Sequence, residues 1–209
     1  MSDIAYNSLK KLILQNKLVP GDLLSENLIA KNLGMSRTPV REALRMLSQE
    51  GVIEIIQGVG ARVKEISSKD IDDLFEIRKS MEILAIKTAV FNFSEEEISK
   101  LENDFNSLKQ RDDLKEKNIL VEFTIIDRKF HNAILEKSNN KYVKKIMEAI
   151  NFNIQRYIGM SVLALGDIDR STEQHMELLD LIGKRDIEKL VPSLESHIDW
   201  SRSLITKER

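Results

Sequence analysis

Ten residues near the N-terminus, Ser36-Arg37-Thr38-Pro39-Val40-Arg41-Glu42-Ala43-Leu44-Arg45, restrict how this chain can fold more than any other segment. Arg37, Arg41 and Arg45 recur every four residues, so on a helix they share one face. That face cannot be core. Val40, Ala43, Leu44 and Leu47 fall on another stripe, which can. Ser36 or Thr38 is a suitable cap, and Pro39 sits in the first turn, where its missing N–H costs little. The start of such a helix carries free N–H groups and the positive end of the dipole, which favour phosphate. A short helix with cations on one side and an apolar seam on the other is what a DNA major groove admits.

The flanking sequence gives that helix neighbours. Ile4–Lys17 reads as a first helix, ended by the Pro20-Gly21 turn. Ser25, with Glu26 in the first turn, caps a short helix to Leu33, and Gly34 breaks it. The arginine-bearing helix then runs to about Glu50 and stops at Gly51. Two β-branched runs, Val52–Ile56 and Ala61–Ile66, flank Gly58 and Gly60 and read as a hairpin. Helix, helix, turn, helix, hairpin is the order of a winged helix-turn-helix, with the third helix in the major groove and the hairpin as the wing.

After Ser67 strand signals almost vanish. Six helical segments are expected: from near Asp70 to near Asn92; one opened by a capping box, Ser94 with Glu97, and a Phe93–Ile98 staple; about Leu114–Lys137; Lys141–Leu163; one capped by Ser171 with Gln174 and running to Gly183; and about Asp186–Thr206, with a kink at Pro192. The expected fold is mainly α: a winged helix-turn-helix domain over 1–66 and an all-α antiparallel bundle of about six helices over 67–209.

A chain of 209 residues with 42% hydrophobic and 32% charged content has the make-up of a soluble globular protein. No cysteine is present, which excludes disulfides and thiolate metal sites. No apolar run approaches the roughly 18 residues that span a bilayer. No signal-peptide pattern opens the chain, so a cytoplasmic protein without a membrane partner is expected. The net charge is −2, split between +2 for residues 1–66 and −4 for the remainder. DNA binding would therefore rest on placed arginines rather than on a broad basic field.

Two groups of polar residues stand out in the helical part. Arg78 and Glu82 interrupt the otherwise largely apolar stripe Ile71, Leu74, Phe75, Met81, Ala85. A charge on a core face is costly unless paired or facing a polar cavity. They form either an internal i, i+4 ion pair or a guanidinium aimed at a ligand carboxylate. Arg156, beside Asn153 and Tyr157, is a weaker candidate of the second kind. The other group contains all three histidines. Asp127 and His131 are four residues apart and point the same way. His175 and His197 each lie about eleven residues from Asp186, so an antiparallel hairpin turning there sets them level. Each histidine alone reads as a surface or satisfied core residue. Together, three imidazoles and a carboxylate suit a first-row divalent metal, zinc first, with nickel or manganese as alternatives.

Pro20-Gly21, Leu24-Ser25-Glu26, Leu28, the string SRTPVREAL, Gly51-Val52 and the Gly58/Gly60 hairpin resemble the DNA-binding domain of GntR-family bacterial transcription regulators over about Ile4–Ile66. The rest resembles the all-helical FCD effector-binding domain of the FadR-type branch, in its shorter six-helix variant. The resemblance implies base and phosphate contacts from Arg37 and Arg41 with Ser36 or Thr38, a backbone contact from Arg45, and a wing, Gln57–Gly60, at the minor groove. It places a metal on Asp127, His131, His175 and His197. It implies a homodimer on a palindromic DNA operator, and a small organic-acid effector whose carboxylate meets the metal, with Arg78, Glu82, Asn153 and Arg156 around it. Some members carry an arginine after the glutamate of the second helix, where this chain has Asn27. The rival readings are a hydrolase that activates water at the Asp/His cluster, and a regulator with a purely structural metal. The hydrolase lacks a further His or carboxylate at a telling spacing for a general base.

Overall fold

A computed structural model describes residues 1–57, 59–65, 67–109, 117–165 and 168–206. The chain divides into two compact units, Met1–Ser67 and Ser68–Arg209. In the first, α1 (Ser2–Leu14) and α2 (Glu26–Leu33) both pack on α3 (Arg37–Gln49). Ala5, Leu9 and Ile13 recur every four residues and are buried, as are Val40, Ala43, Leu44 and Leu47 of α3. The two apolar seams therefore face each other. Burying a side chain of this size contributes roughly 1.5–3 kcal/mol, which helices this short need in order to persist. Tyr6 and Lys10 of α1 also bond Glu50, at the end of α3.

The helix ends follow local chemistry. Ser25 accepts the Leu28 N–H and caps α2. Gly34 takes φ 63°, a left-handed conformation that closes α2, and Gly51 takes φ 69° just after α3. Ser36 occupies the N-cap position of α3, but its hydroxyl makes no capping bond. The first helix starts at Ser2, two residues before the expected Ile4, and stops three residues short of the expected Lys17. It ends at Leu14, and Asn16 turns the chain with φ 52°, which asparagine tolerates better than most residues.

The hairpin is present as β2 (Ile53–Ile56) and β3 (Gly60–Val63), with Glu54 opposite Arg62 and paired to it at 2.6 Å. A third strand, β1 (Leu23–Leu24), joins the other side of β3, giving the antiparallel order β1-β3-β2. Two residues are too short a run to show an alternation, so sequence pattern could not reveal it. Gly58 and Ile66 lie outside the described residues.

The second unit contains α4 (Ser68–Ala89), α5 (Glu95–Lys109), α6 (Lys117–Lys137), α7 (Lys141–Leu165), α8 (Ile168–Lys184) and α9 (Ile187–Thr206). α4 packs on α6, α7 and α9; α5 packs on α6 and α8; α8 packs on α9. Phe75, Phe105, Phe123 and Phe130 are its largest buried apolar side chains. The capping box of α5 forms in full: Ser94 Oγ accepts the Glu97 N–H, and the Glu97 carboxylate accepts the Ser94 N–H. The start of α8 differs from expectation. The helix begins at Ile168, so Ser171 and Gln174 are interior residues rather than a cap. Pro192 does not interrupt α9, which runs on past it. The expected helix start at Leu114 and the Gly166-Asp167 break lie outside the described residues.

Candidate nucleic-acid interface and metal centre

Packing α1 and α2 on one side of α3 leaves the other side in solvent. Ser36, Arg37, Thr38, Arg41 and Arg45 are all exposed there. Arg45 pairs with Glu42 at 3.1 Å. Arg41 makes two bonds to Glu26, the first residue of α2: Nε to Oε1 at 3.0 Å and Nη2 to Oε2 at 2.9 Å. Arg37 Nη2 reaches the same carboxylate at 3.4 Å. Between α3 and the hairpin lies an open groove of about 450 Å³, lined by Glu26, Arg41, Arg45, Ile55, Gln57 and Val59 among others. Sequence spacing found the arginines. It could not find Glu26 as their partner, because residues 11 and 15 positions apart meet only through the packing of α2 on α3.

In the second unit Asp127 and His131 come from α6, His175 from α8 and His197 from α9. All four are buried, and one potential ligand atom from each lies within 4.8 Å of the others. The His175 and His197 rings are 4.3 Å apart, as the hairpin geometry predicts. Phe105 stacks on His175 at 4.5 Å, and Phe130 meets its ring edge-on at 5.1 Å, so apolar rings wall one side of the cluster.

Each imidazole is held by its Nδ1. His131 Nδ1 meets Glu82 Oε2 at 2.5 Å, His175 Nδ1 meets the Ser171 carbonyl at 2.7 Å, and His197 Nδ1 meets Gln174 Oε1 at 2.9 Å. Oxygens of these kinds only accept, so each Nδ1 carries a hydrogen and Nε2 is the ring atom left to face the cluster. Nε2 of His131 and Nε2 of His175 are buried with no hydrogen-bond partner. His175 Nε2 faces Asp127 Oδ1 at 3.3 Å. Either a proton on Nε2 or a metal ion shared by the two atoms makes that approach favourable. The donor set and its outer supports therefore fit a divalent metal.

Electrostatics point the same way. Burial opposes charge on Asp127, but His131, His175 and Arg78 outweigh it and hold the carboxyl well below the usual range. Glu82 is likewise lowered: burial acts against its charge, and His131 with Arg78 overcomes it. Burial pushes His131 down, helped by Arg78 and opposed by Glu82 and Asp127. Burial and the neighbouring imidazoles push His197 well down. A carboxylate held anionic, with His131 and His197 pushed toward the neutral form, matches the ligand forms a metal requires.

Arg78 and Glu82 form the internal i, i+4 pair of their first sequence reading. They form a buried pair, Nε to Oε1 at 2.7 Å, and both line a cavity beside Asp127 and His131. Arg78 Nη1 is buried there without a hydrogen-bond partner. The cavity is narrow, with about 10 Å³ open to the centre of a water-sized body, room for about one water. Its far wall carries Arg128, Asn132, Asn151 and Gln155. Asn153 and Arg156 do not line it; Arg156 is buried elsewhere on α7, where desolvation lowers its basicity. Sequence reasoning missed Ser171 and Gln174 as histidine supports. The i, i+4 step from Ser171 to His175 was a usable signal, whereas Gln174 to His197 needs the α8–α9 packing.

The FCD domain family matches residues 73–199, and the family described as bacterial regulatory proteins, gntR family, matches residues 2–63. The HTH-type transcriptional regulator YdhC of Bacillus subtilis is 30% identical over 146 residues, 70% of this chain and 64% of that protein. The gluconate operon transcriptional repressor of Bacillus licheniformis is 26% identical over 196 residues, 91% of this chain and 79% of the other. Among solved structures, McbR/YncC of E. coli superposes with a TM-score of 0.83 at 22% identity, covering 99% of this chain and 97% of that one. No helix among the described residues is long and apolar enough to cross a membrane. The winged first unit, the helical second unit and these matches agree: the chain belongs to the GntR family of bacterial regulatory proteins, in the FadR-type branch that carries an FCD domain.

Proposed function

We propose that this chain is a cytoplasmic, homodimeric transcription repressor that binds a palindromic operator through α3 and the wing, and that a metal and a small carboxylate in the second unit control its operator affinity. Ser36, Arg37, Thr38, Arg41 and Arg45 contact the DNA, with Gln57 and Gly58 at the wing. Asp127, His131, His175 and His197 hold the metal, zinc foremost. The observation that carries the input side is the buried convergence of one ligand atom each from Asp127, His131, His175 and His197 within 4.8 Å, with His175 Nε2 3.3 Å from the Asp127 carboxylate. When bound, the metal supplies a positive centre for a carboxylate oxygen. Glu82, Ser171 and Gln174 hold the three rings in the ligating tautomer. Arg78, whose Nη1 is unspent, offers the second charge for the same carboxylate. Asn153 and Arg156, off this cavity, are left to a wider effector contact. Dimerisation is supported by exposed apolar side chains on two adjoining helices, Ile77 and Leu84 of α4 with Tyr142 and Ile146 of α7. Acid bound in one site shifts affinity at the other by their coupling free energy.

The narrowness of the cavity favours a second reading, in which the metal is structural only. One experiment separates the two. Elemental analysis of the purified protein should find about one metal per chain, lost in His175→Ala. Metal-loaded protein is then screened for melting-temperature shifts with small carboxylic acids. A shift abolished by Arg78→Met supports the sensor. Bound metal with no acid-dependent shift supports the structural reading, and no metal after reconstitution overturns both.

A further inference from the structure

Glu26 is an acidic side chain on a surface expected to meet polyanionic DNA, and the two bonds it accepts from Arg41 leave one edge of that guanidinium unused. We propose that Glu26 is a positioning residue that presents Arg41 for two-point reading of a guanine in the operator. The inference rests on Arg41 being a DNA contact.

The donors decide the geometry. Arg41 carries five N–H donors in a rigid plane. Glu26 takes Nε–H and one Nη2–H, at 3.0 and 2.9 Å. What remains is the adjoining Nη1/Nη2 edge, with one hydrogen from each nitrogen, and the outer Nη1 hydrogen. Two parallel donors on that edge match the O6 and N7 acceptors of guanine in the major groove. Arg41 lines the groove between α3 and the wing, together with Glu26 itself. Fixing the fork before DNA arrives removes the cost of ordering a long side chain on binding.

A merely structural role accounts poorly for the pair. The Arg41 side chain is 48% exposed and that of Glu26 26%, and ion pairs that wet add little to stability. On a DNA-facing surface an extra carboxylate repels phosphate, so it lowers affinity for every sequence alike. It is compensated only where Arg41 makes its two-point contact. Glu26 thus exchanges general affinity for discrimination. Through its contact with Arg37 at 3.4 Å it also keeps the neighbouring arginine close to the same point.

The test is selection from a random-sequence duplex pool by the full-length, metal-loaded protein, run in parallel for wild type, Glu26→Ala, Glu26→Gln and Arg41→Ala, with affinities measured at one fixed salt concentration. Wild type should enrich sites with a fixed guanine, and Arg41→Ala should lose it. Glu26→Ala should lose the same guanine while binding random duplex as tightly as wild type or more so. The ratio of random to selected-site Kd should drop about tenfold, within what a bidentate base contact supplies. Glu26→Gln, which keeps one acceptor for Arg41, should fall between, and it serves as the reporter if the alanine variant is unstable. If both Glu26 variants enrich the same guanine with an unchanged ratio, the proposal is overturned. Equal weakening on selected and random DNA together with a lower melting temperature also overturns it, since that is a packing effect. Retention of the guanine preference by Arg41→Ala removes the reading of Arg41 and this proposal with it. Loss there beside unchanged Glu26 variants removes only the role of Glu26.

Discussion

The two units of this chain treat charge in opposite ways. In the first, Arg37 and Arg41 share one carboxylate in solvent, and none of the three is buried. In the second, Arg78, Glu82, Asp127 and His131 are packed into the interior, and Glu82 serves two partners at once, Arg78 at 2.7 Å and His131 at 2.5 Å. An exposed ion pair is weak and adds little to stability. A buried one is rigid, and removing one member leaves a charge without compensation. The exposed pair leaves part of the Arg41 guanidinium open to solvent, whereas the buried groups are held in one geometry by their mutual bonds.

The largest expected effect tests the buried side. Glu82→Ala strips the partner from an arginine that is 2% exposed and frees the His131 ring. Breaking a buried pair this way costs about 3–5 kcal/mol. In a chain of this length that lowers the melting temperature by about 10 °C or more. Metal affinity should fall as well, by about 10–100-fold, because Glu82 fixes the tautomer of a ligand. Added salt should not rescue either loss. A stability change below about 1 kcal/mol would mean that water already reaches Arg78, and the contrast between the units would collapse.

Ser25→Ala probes the exposed unit at intermediate size. Its hydroxyl accepts the Leu28 N–H at 3.4 Å, a long bond, so the loss should sit near the lower end of the capping range, about 0.5–1 kcal/mol by chemical denaturation. The effect should appear with metal present or absent. A loss that depended on metal would tie the two units more closely than their separate cores suggest.

How far each feature could be read from sequence depends on how local its causes are. The α3 face was legible because its causes are local: a four-residue arginine period, a seam of Val40, Ala43, Leu44 and Leu47, and glycines at both borders. The Asp127, His131, His175 and His197 set was legible because a helix repeat and a hairpin turn fix which residues are level. The start of α8 was not. Ser171-x-x-Gln174 has the spacing of a cap, but the same spacing occurs inside a helix. There it places the Ser171 carbonyl and the Gln174 amide against His175 and His197. Strand β1 and the Glu26–Arg41 bonds depend on segments far apart in sequence, and no period records them.

Glu97 gives the smallest expected effect and a control on the whole contrast. Lys137, with the Ser94 N–H and hydroxyl, pulls its carboxyl down to about 2 from an ordinary 4.5. A carboxyl that is more acidic when folded stabilises the protein above its unfolded value and loses that contribution as pH falls. The gap between wild type and Glu97→Gln should thus be full above about pH 5 and shrink steadily toward pH 2. Its side chain is 47% exposed, so solvent screening should hold the effect to a few tenths of a kcal/mol, up to about 1. It should also shrink in high salt, unlike the Glu82 effect. Denaturation of the two proteins at matched pH and two salt concentrations reads both dependences. A gap that ignores both salt and pH would assign Glu97 to helix capping through neutral hydrogen bonds, leaving its ion pair with Lys137 without weight.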